Sequence, residues 1–172
     1  AGLRGRGCGI PVAIAVCIQH TGAGILEHSC AGVGGCAVII AVGSELLTPH
    51  RVDTNSLELT AHLNELGIAV CQKLVVGDDR EDLADAFRHA MTRGDLVVIT
   101  GGLGPTDDDV TRVAVAEVLE LPLEEDPQIV DEIRARFAAR GLDMPDINRR
   151  QALVPKGGVT LTNLRGTAPG LW

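Results

Sequence analysis

Residues 100–109, TGGLGPTDDD, place three glycines next to three consecutive acids. Gly101, Gly102 and Gly104 let the backbone approach a ligand closely and adopt positive φ angles. A helix that begins after this loop directs its free N–H groups and the positive end of its dipole back at the loop. The segment therefore predicts a binding site for a phosphate group. Besides the glycines, the candidate ligand contacts in the loop are Thr100, Leu103 and Thr106.

The three acids of this segment, Asp107, Asp108 and Asp109, would repel a phosphate unless a cation lay between them. A hard divalent cation takes oxygen ligands, so it could bridge a carboxylate to a pyrophosphate and activate water for attack. The alternative is that the acids stabilise the start of the next helix, where each contributes about 0.3–1 kcal/mol. Because glycines adjoin the acids, we expect Asp108 and Asp109 to be catalytic and to bind Mg²⁺ or another divalent metal such as Co²⁺.

Several familiar catalytic and phosphate-binding patterns are absent from the sequence. There is no Gly-Lys-Ser/Thr of a Walker A loop, and Asp107 stands where a Rossmann fingerprint needs its third glycine. The histidines form no HExxH or HxH pattern, and Ser44 lacks a GxSxG context. These absences argue against a P-loop enzyme, a dinucleotide-binding domain and a triad hydrolase.

Short polar segments follow other predicted elements, and each has a structural alternative. Glu45 comes directly after the first predicted strand, at the same sheet edge as the glycine loop, which makes it the third catalytic candidate. It could equally be a solvated side chain. Asp53 could cap a helix, Asp78 could start a turn, and residues 148–151 could form a solvated helix face. The remaining candidate nucleotide-binding residues are Gly43, Ser44, Asn55, Asp78, Asn148, Arg149, Gly166 and Thr167.

Apolar runs and helical periodicity predict the elements that must position these residues. Buried strands are expected at residues 37–42, 68–76 and 95–100, because each run is rich in apolar residues. Helices are expected at 55–66 and 80–92, and a third helix follows the glycine loop. This alternation predicts a three-layer α/β fold in which helices cover both faces of a mostly parallel sheet. Later in the chain, the sequence predicts two further helices and a strand, at residues 128–140, 146–153 and 159–162.

Composition limits the classes of protein that fit. The chain has 172 residues, 45% of them hydrophobic, which suits one domain with a real core. A net charge of −8 argues against a nucleic-acid partner, and no apolar run is long enough to span a membrane. The five cysteines are an odd number, and only Cys71 lies beyond residue 36. We therefore expect a cytoplasmic protein with reduced cysteines.

Residues 1–36 differ from the rest of the chain, with four of the five cysteines and only three formal charges. We interpret them as an atypical accessory or non-native extension, and residues 37–172 as the nucleotide-binding domain. A signal peptide with an apolar core at 10–18 and a strand at 11–18 are alternatives. A zinc site is a further alternative. Its ligands would come from Cys8, Cys17, His20, His28, Cys30 and Cys36.

Five motifs, taken in order, resemble signatures of the CinA (competence/damage-inducible protein A) family. They are GSELLTPHRVDTNS, VVGDD, TGGLGPTDDDVT, NRRQA and RGTAPG. The resemblance covers about residues 36–172, and the glycine loop followed by GTAPG is its most specific part. It implies a MoaB-like molybdopterin-binding fold.

The resemblance also implies an activity. It implies hydrolysis of the pyrophosphate of ADP-ribose, or of a related small nucleotide, to AMP and ribose 5-phosphate in nicotinamide nucleotide recycling. It further implies a dependence on a divalent metal and K⁺, and a homodimer. Because the family continues beyond GTAPG into another strand and an LPGVPxEM-type loop, we expect the domain to be incomplete at its C-terminal end. Two alternatives stay open: a molybdopterin-binding module or transferase of molybdenum cofactor biosynthesis, and an inactive fragment of a CinA protein.

Overall fold

The apolar run CAVIIAV forms the central strand β2 (Cys36–Val42), which is buried at every residue. The structure, a computed structural model, describes residues 13–17, 35–163 and 166–172. Strand β2 pairs in parallel with β3 (Ala69–Val76) on one side and with β4 (Leu96–Thr100) on the other. The three strands predicted from the apolar runs are therefore confirmed, and they are parallel as expected.

Helices pack against both faces of this sheet, as predicted. They are α1 (Thr54–Glu65), α2 (Arg80–Arg93), α3 (Thr111–Val118) and α4 (Pro127–Ala138). The apolar face of α1 packs with alternate β2 residues on one side, and α2, α3 and α4 share the larger core on the other side. In the described ranges, no helix has the length and apolar character needed to cross a membrane.

Helix caps explain where two of these helices begin. The Asp53 carboxylate accepts a hydrogen bond from the Ser56 N–H at 2.9 Å, so Asp53 is the N-cap of α1. Asp79 caps α2 in the same way by accepting from the N–H groups of Glu81 and Asp82. The structure thus confirms the capping alternative for Asp53.

The six-stranded sheet has the order β3-β2-β4-β1-β8-β7. Strand β1 (Ala13–Cys17) runs antiparallel to β4, and β7 (Thr160–Leu161) runs antiparallel to β8 (Gly170–Leu171). The sheet is therefore mixed, with a parallel centre. Strand β1 lies inside the segment interpreted as an extension and agrees with the alternative that placed a strand there. Of the zinc-site alternative, Cys8, His20, His28 and Cys30 lie outside the described residues.

A second, two-stranded sheet pairs β5 (Leu123–Glu125) with β6 (Leu153–Pro155), and neither strand is predicted by the sequence pattern. The helix predicted at 146–153 is instead a 3₁₀ helix, Asp146–Ala152, that leads into β6. Its Ala152 carbonyl accepts from the Asp126 N–H at 2.9 Å, which ties this segment to the start of α4.

Cys36 and Cys71 form a disulfide between β2 and β3, with their Cα atoms 6.0 Å apart. The register of β3 shifts by one residue at this point, because Ala37 pairs with Val70 and Val38 pairs with Gln72. The prediction that the cysteines are reduced is wrong for this pair. The two cysteines are 35 residues apart in the sequence, and they come together only because β2 and β3 pair in this register. The sequence alone therefore did not indicate the disulfide.

Candidate functional site

The glycine loop leaves the carboxyl end of β4 and turns against the end of β2. Gly101 and Gly102 have φ angles of 97° and 60°, a region that side chains disfavour. A Cβ atom on Gly101 would collide with the carbonyl oxygen of Val42, the last residue of β2, and one on Gly102 would collide with the Thr111 hydroxyl. The loop therefore needs both glycines for its own packing. This packing brings it to the strand edge where a ligand was predicted.

The first residues of α3 donate hydrogen bonds to the carbonyl groups of the glycine loop. The Thr111 hydroxyl donates to the Gly101 carbonyl at 2.8 Å, and the Thr111 N–H donates to the Gly102 carbonyl at 3.2 Å. The Arg112 guanidinium donates to the Leu103 carbonyl at 2.7 Å. In the part of the chain that the structure describes, no hydrogen bond engages the N–H groups of Gly102 and Leu103. The carbonyls are satisfied and these two donors are not, as an anion-binding loop requires.

The three acids differ in their surroundings. Asp109 accepts hydrogen bonds from the Gly104 N–H at 2.7 Å, from the Thr106 N–H at 2.8 Å and from the Thr106 hydroxyl at 2.6 Å. Both of its oxygens therefore close the loop. Asp107 forms an ion pair with Arg150. The Asp108 carboxylate is exposed and has no hydrogen bond or ion pair within the described residues. Among the three, Asp108 is the acid whose oxygens are open to a ligand.

The segment after β2 joins the segment after β3. The Ser44 N–H donates to the Asp78 carboxylate at 2.8 Å, and the Asp78 N–H donates to the Ser44 hydroxyl at 3.1 Å. The Gly43 N–H donates to the Val76 carbonyl at 2.9 Å. Glu45 is exposed in the 3₁₀ helix Ser44–Leu47, and its carboxylate oxygens lie over the Cα of Gly43. The structure therefore brings Gly43, Ser44 and Asp78 together beside the glycine loop.

The other predicted nucleotide-binding residues lie in other segments, where most of them contact neighbouring residues rather than the glycine loop. Asn55 is exposed in the first turn of α1. Asn148 is buried and donates to the Gln151 side chain at 3.1 Å. Arg149 forms an ion pair with Glu125 of β5, at 2.5 Å. The loop that contains Gly166 and Thr167 is fixed from α4, because Arg136 donates to the Gly166 and Asn163 carbonyls.

Two arginines at the loop were not among the predicted site residues. Arg150, rather than its neighbour Arg149, reaches the acidic segment. Arg112 is buried, and burial lowers the pKa of its guanidinium to about 10, while the charge of Asp109 acts in the opposite direction. A signal for Arg112 is present in the sequence, because a cation in the first turn of a helix opposes the helix dipole.

No three His, Cys, Asp or Glu side chains converge to hold a metal ion among the described residues. A site built only from protein ligands is therefore not formed there. Mg²⁺ does not need such a cage, because it commonly binds through one or two carboxylates and the phosphates of a substrate. The open carboxylate of Asp108 fits that second arrangement.

The fold and the loop define the class of the domain. Residues 38–170 match the family model described as "Probable molybdopterin binding domain", a range that holds most of β2, the glycine loop and the GTAPG segment. Within that class, the chain belongs to the CinA family. It is 54% identical, over 136 residues, to a CinA-like protein of Solibacter usitatus, and the match covers 79% of this chain. It is 46% identical over 136 residues to a CinA-like protein of Synechococcus elongatus.

A solved structure of the same family agrees with the fold. The crystal structure of CinA from Thermoplasma acidophilum is 34% identical, with a TM-score of 0.73 and coverage of 80% of each chain. MoaB of Thermus thermophilus is 21% identical, with a TM-score of 0.47. The chain spans about a third of the length of the curated relatives, 33% in the case of the Solibacter protein.

Proposed function

We propose that this domain hydrolyses the pyrophosphate of ADP-ribose, or of a related small nucleotide, to AMP and ribose 5-phosphate. The observation that carries the proposal is the pair of unpartnered N–H donors, Gly102 and Leu103, in the same loop as the exposed carboxylate of Asp108. Donors that have no protein partner favour a phosphate oxygen at that point. A carboxylate next to them favours a cation between the two, because acid and phosphate repel each other.

The residues fit a divalent metal that is shared between protein and substrate. When bound, Mg²⁺ or Co²⁺ would neutralise the pyrophosphate and lower the pKa of water. Asp108 would hold it from the loop. Asp109, which was expected to bind the metal and to be catalytic, has a different role, because its oxygens accept three hydrogen bonds from the loop itself. Its role in the proposal is to position the loop.

Glu45 is the general base in this proposal. It is exposed at the carboxyl end of β2, next to the glycine that precedes Ser44. Glu45 would accept a proton from the attacking water, whose oxygen forms a bond to one phosphorus of the pyrophosphate. The bridging P–O bond breaks, and the second phosphate leaves with the bridging oxygen. One water is consumed, and AMP and ribose 5-phosphate are released.

The test uses the 172-residue chain with ADP-ribose and MgCl₂, and follows AMP release and the melting temperature. We expect Asp108→Asn and Glu45→Gln to lower turnover by about a hundredfold each, in the range seen when acid–base or metal assistance is removed. Asp108→Asn should also abolish the Mg²⁺-dependent rise in melting temperature with AMP, whereas Glu45→Gln should keep it. Asp143→Asn, an exposed acid in another loop, is the matched control.

Turnover and metal response at the wild-type level in Asp108→Asn would contradict the proposed metal site. The second candidate function is a molybdopterin-binding module, which the description of the matched family model favours. It predicts saturable binding of molybdopterin, no AMP release from ADP-ribose, and no effect of Glu45→Gln. AMP binding without turnover would instead identify the chain as an inactive fragment.

A further inference from the structure

A cavity of about 340 Å³ lies beside the loop, and three arginines line it. They come from separate elements: Arg80 begins α2, Arg112 lies in α3, and Arg150 lies in the 3₁₀ helix before β6. The lining also includes Gly104, Thr106, Asp107 and Asp109 of the loop, but none of Gly43, Ser44, Gly101 and Gly102. The cavity therefore adjoins the strand-end residues of the proposed nucleotide site and shares the outer part of the glycine loop with it.

Arg112 is the buried member of the three, with 3% of its surface exposed. One nitrogen, Nη1, donates to the Leu103 carbonyl, while Nε and Nη2 are buried without a hydrogen-bond partner in the described residues. A buried donor without a partner costs free energy, and more so when it belongs to a charged group. The low pKa of Arg112 has the same cause, because burial disfavours the charged guanidinium.

Arg80 and Arg150 are about half exposed, so both can turn toward the cavity. Arg80 lies 3.6 Å from Glu117, a distance longer than a good hydrogen bond, and Arg150 pairs with the exposed Asp107. Asp109, the acid nearest to Arg112, already accepts three hydrogen bonds from the loop. The acids of the lining thus form no hydrogen bond with Nε and Nη2 of Arg112, which stay buried and unpartnered.

We propose that this arginine cavity binds a phosphate group, either inorganic phosphate or the phosphate of a monoester. Arg112 lines the cavity, and a planar guanidinium with two adjacent unpartnered N–H groups matches a tetrahedral oxyanion, which can accept both bonds at once. Arg80 and Arg150 supply the remaining positive charge. The inference does not rest on the proposed hydrolysis, since its three arginines have no role in that proposal and it needs no reaction.

Inorganic phosphate is the probe, and isothermal titration of the 172-residue chain gives its dissociation constant. The deciding variant is Arg80→Gln, because Arg80 forms its ion pair with Glu117 of α3 and no hydrogen bond or ion pair joins it to the glycine loop within the described residues. Arg88→Gln is the matched control: it removes the same charge from the same helix, where Arg88 pairs with Asp85 outside the cavity. Arg112→Lys tests the buried cation while it keeps the charge and a donor for the Leu103 carbonyl.

We expect Arg80→Gln and Arg112→Lys to weaken phosphate binding by about tenfold or more, and Arg88→Gln to leave it unchanged. Binding of AMP should be the same in Arg80→Gln as in the unaltered chain, which separates this cavity from the nucleotide site. The proposal is overturned if phosphate shows no saturable binding, or if Arg80→Gln and Arg88→Gln bind it equally well. Phosphate binding by a chain that does not hydrolyse ADP-ribose would support this inference and contradict only the proposed function.

Discussion

The carboxylate of Asp109 accepts a hydrogen bond from the N–H of Gly104, five residues earlier, at 2.7 Å. A Cβ atom on Gly104 would collide with that carboxylate, so the glycine is needed for the acid to fold back into the loop. The second oxygen of Asp109 accepts from the N–H and the hydroxyl of Thr106. Asp109 is therefore part of the structure of the loop, whereas Asp108, one residue earlier, is open to solvent.

The two neighbouring acids should respond differently to the same substitution. We expect Asp109→Asn to lower the free energy of unfolding of the metal-free chain by about 1–3 kcal/mol, because an amide replaces one accepting oxygen with a donor that faces another donor. Asp108→Asn should leave it within about 0.5 kcal/mol, as is usual for surface positions. Urea unfolding of both variants measures the difference. Equal stability of the two would show that Asp109 does not close the loop in solution.

Gly101 should not tolerate a methyl group. Gly101→Ala combines a left-handed backbone, which costs about 1–2 kcal/mol for a residue with a side chain, with a collision against the Val42 carbonyl. The control is Gly157→Ala, since Gly157 has a φ of 84° and no atom lies within 4 Å of the position that a Cβ would take there. We expect the control to show only the backbone cost. In Gly101→Ala, about 1–3 kcal/mol should be added by overpacking. If thermal or urea unfolding gave equal losses for both, the close approach of loop and strand would be disproved.

The Ser44–Asp78 contact should stabilise the junction of two strand ends. Asp78→Ala removes the acceptor of the Ser44 N–H, and Ser44→Ala removes the acceptor of the Asp78 N–H. Each should lower the free energy of unfolding by about 0.5–1.5 kcal/mol, the usual net value of one hydrogen bond. Asp143→Ala, at an exposed position, serves as the control. Stability unchanged in both variants would mean that the two segments do not meet in solution.

The sequence predicted the part of the fold that is built from long apolar runs. Strand β2 and its two parallel neighbours follow from continuous Val, Ile and Ala, and helices α1 and α2 follow from apolar residues at helical spacing. The strands β5 and β6 were missed, because a segment of three residues is too short to show the alternation of apolar and polar residues that indicates a strand. Their pairing depends on contacts that only the folded chain makes.

The location of the site was predictable from the sequence, but the roles of its individual residues were not. The position of the glycine loop at the end of β4 follows from a buried strand followed by glycines. Three identical acids in a row gave no basis for separating Asp108 from Asp109, because their difference lies in hydrogen bonds that the loop conformation creates. Arg112 was missed for the same reason, since its burial depends on how α3 packs under the loop.

The segment before β2 contributes a strand to the middle of the sheet. Strand β1 lies between β4 and β8, and its backbone pairs with β4 from Ala13–Thr100 to Cys17–Leu96. Deletion of residues 1–35 would uncover the edge of β4 and separate β8 from the sheet. From this pairing we expect the melting temperature to fall by more than about 10 °C, a loss of several kcal/mol for a domain of this size. Deletion of residues 1–10 keeps β1 and is the control, with an expected change of a few degrees at most. The interpretation of residues 1–36 as a dispensable extension predicts the opposite for the longer deletion, namely the same small change as the control. Calorimetry of the two shortened chains therefore decides whether β1 belongs to the core of the sheet.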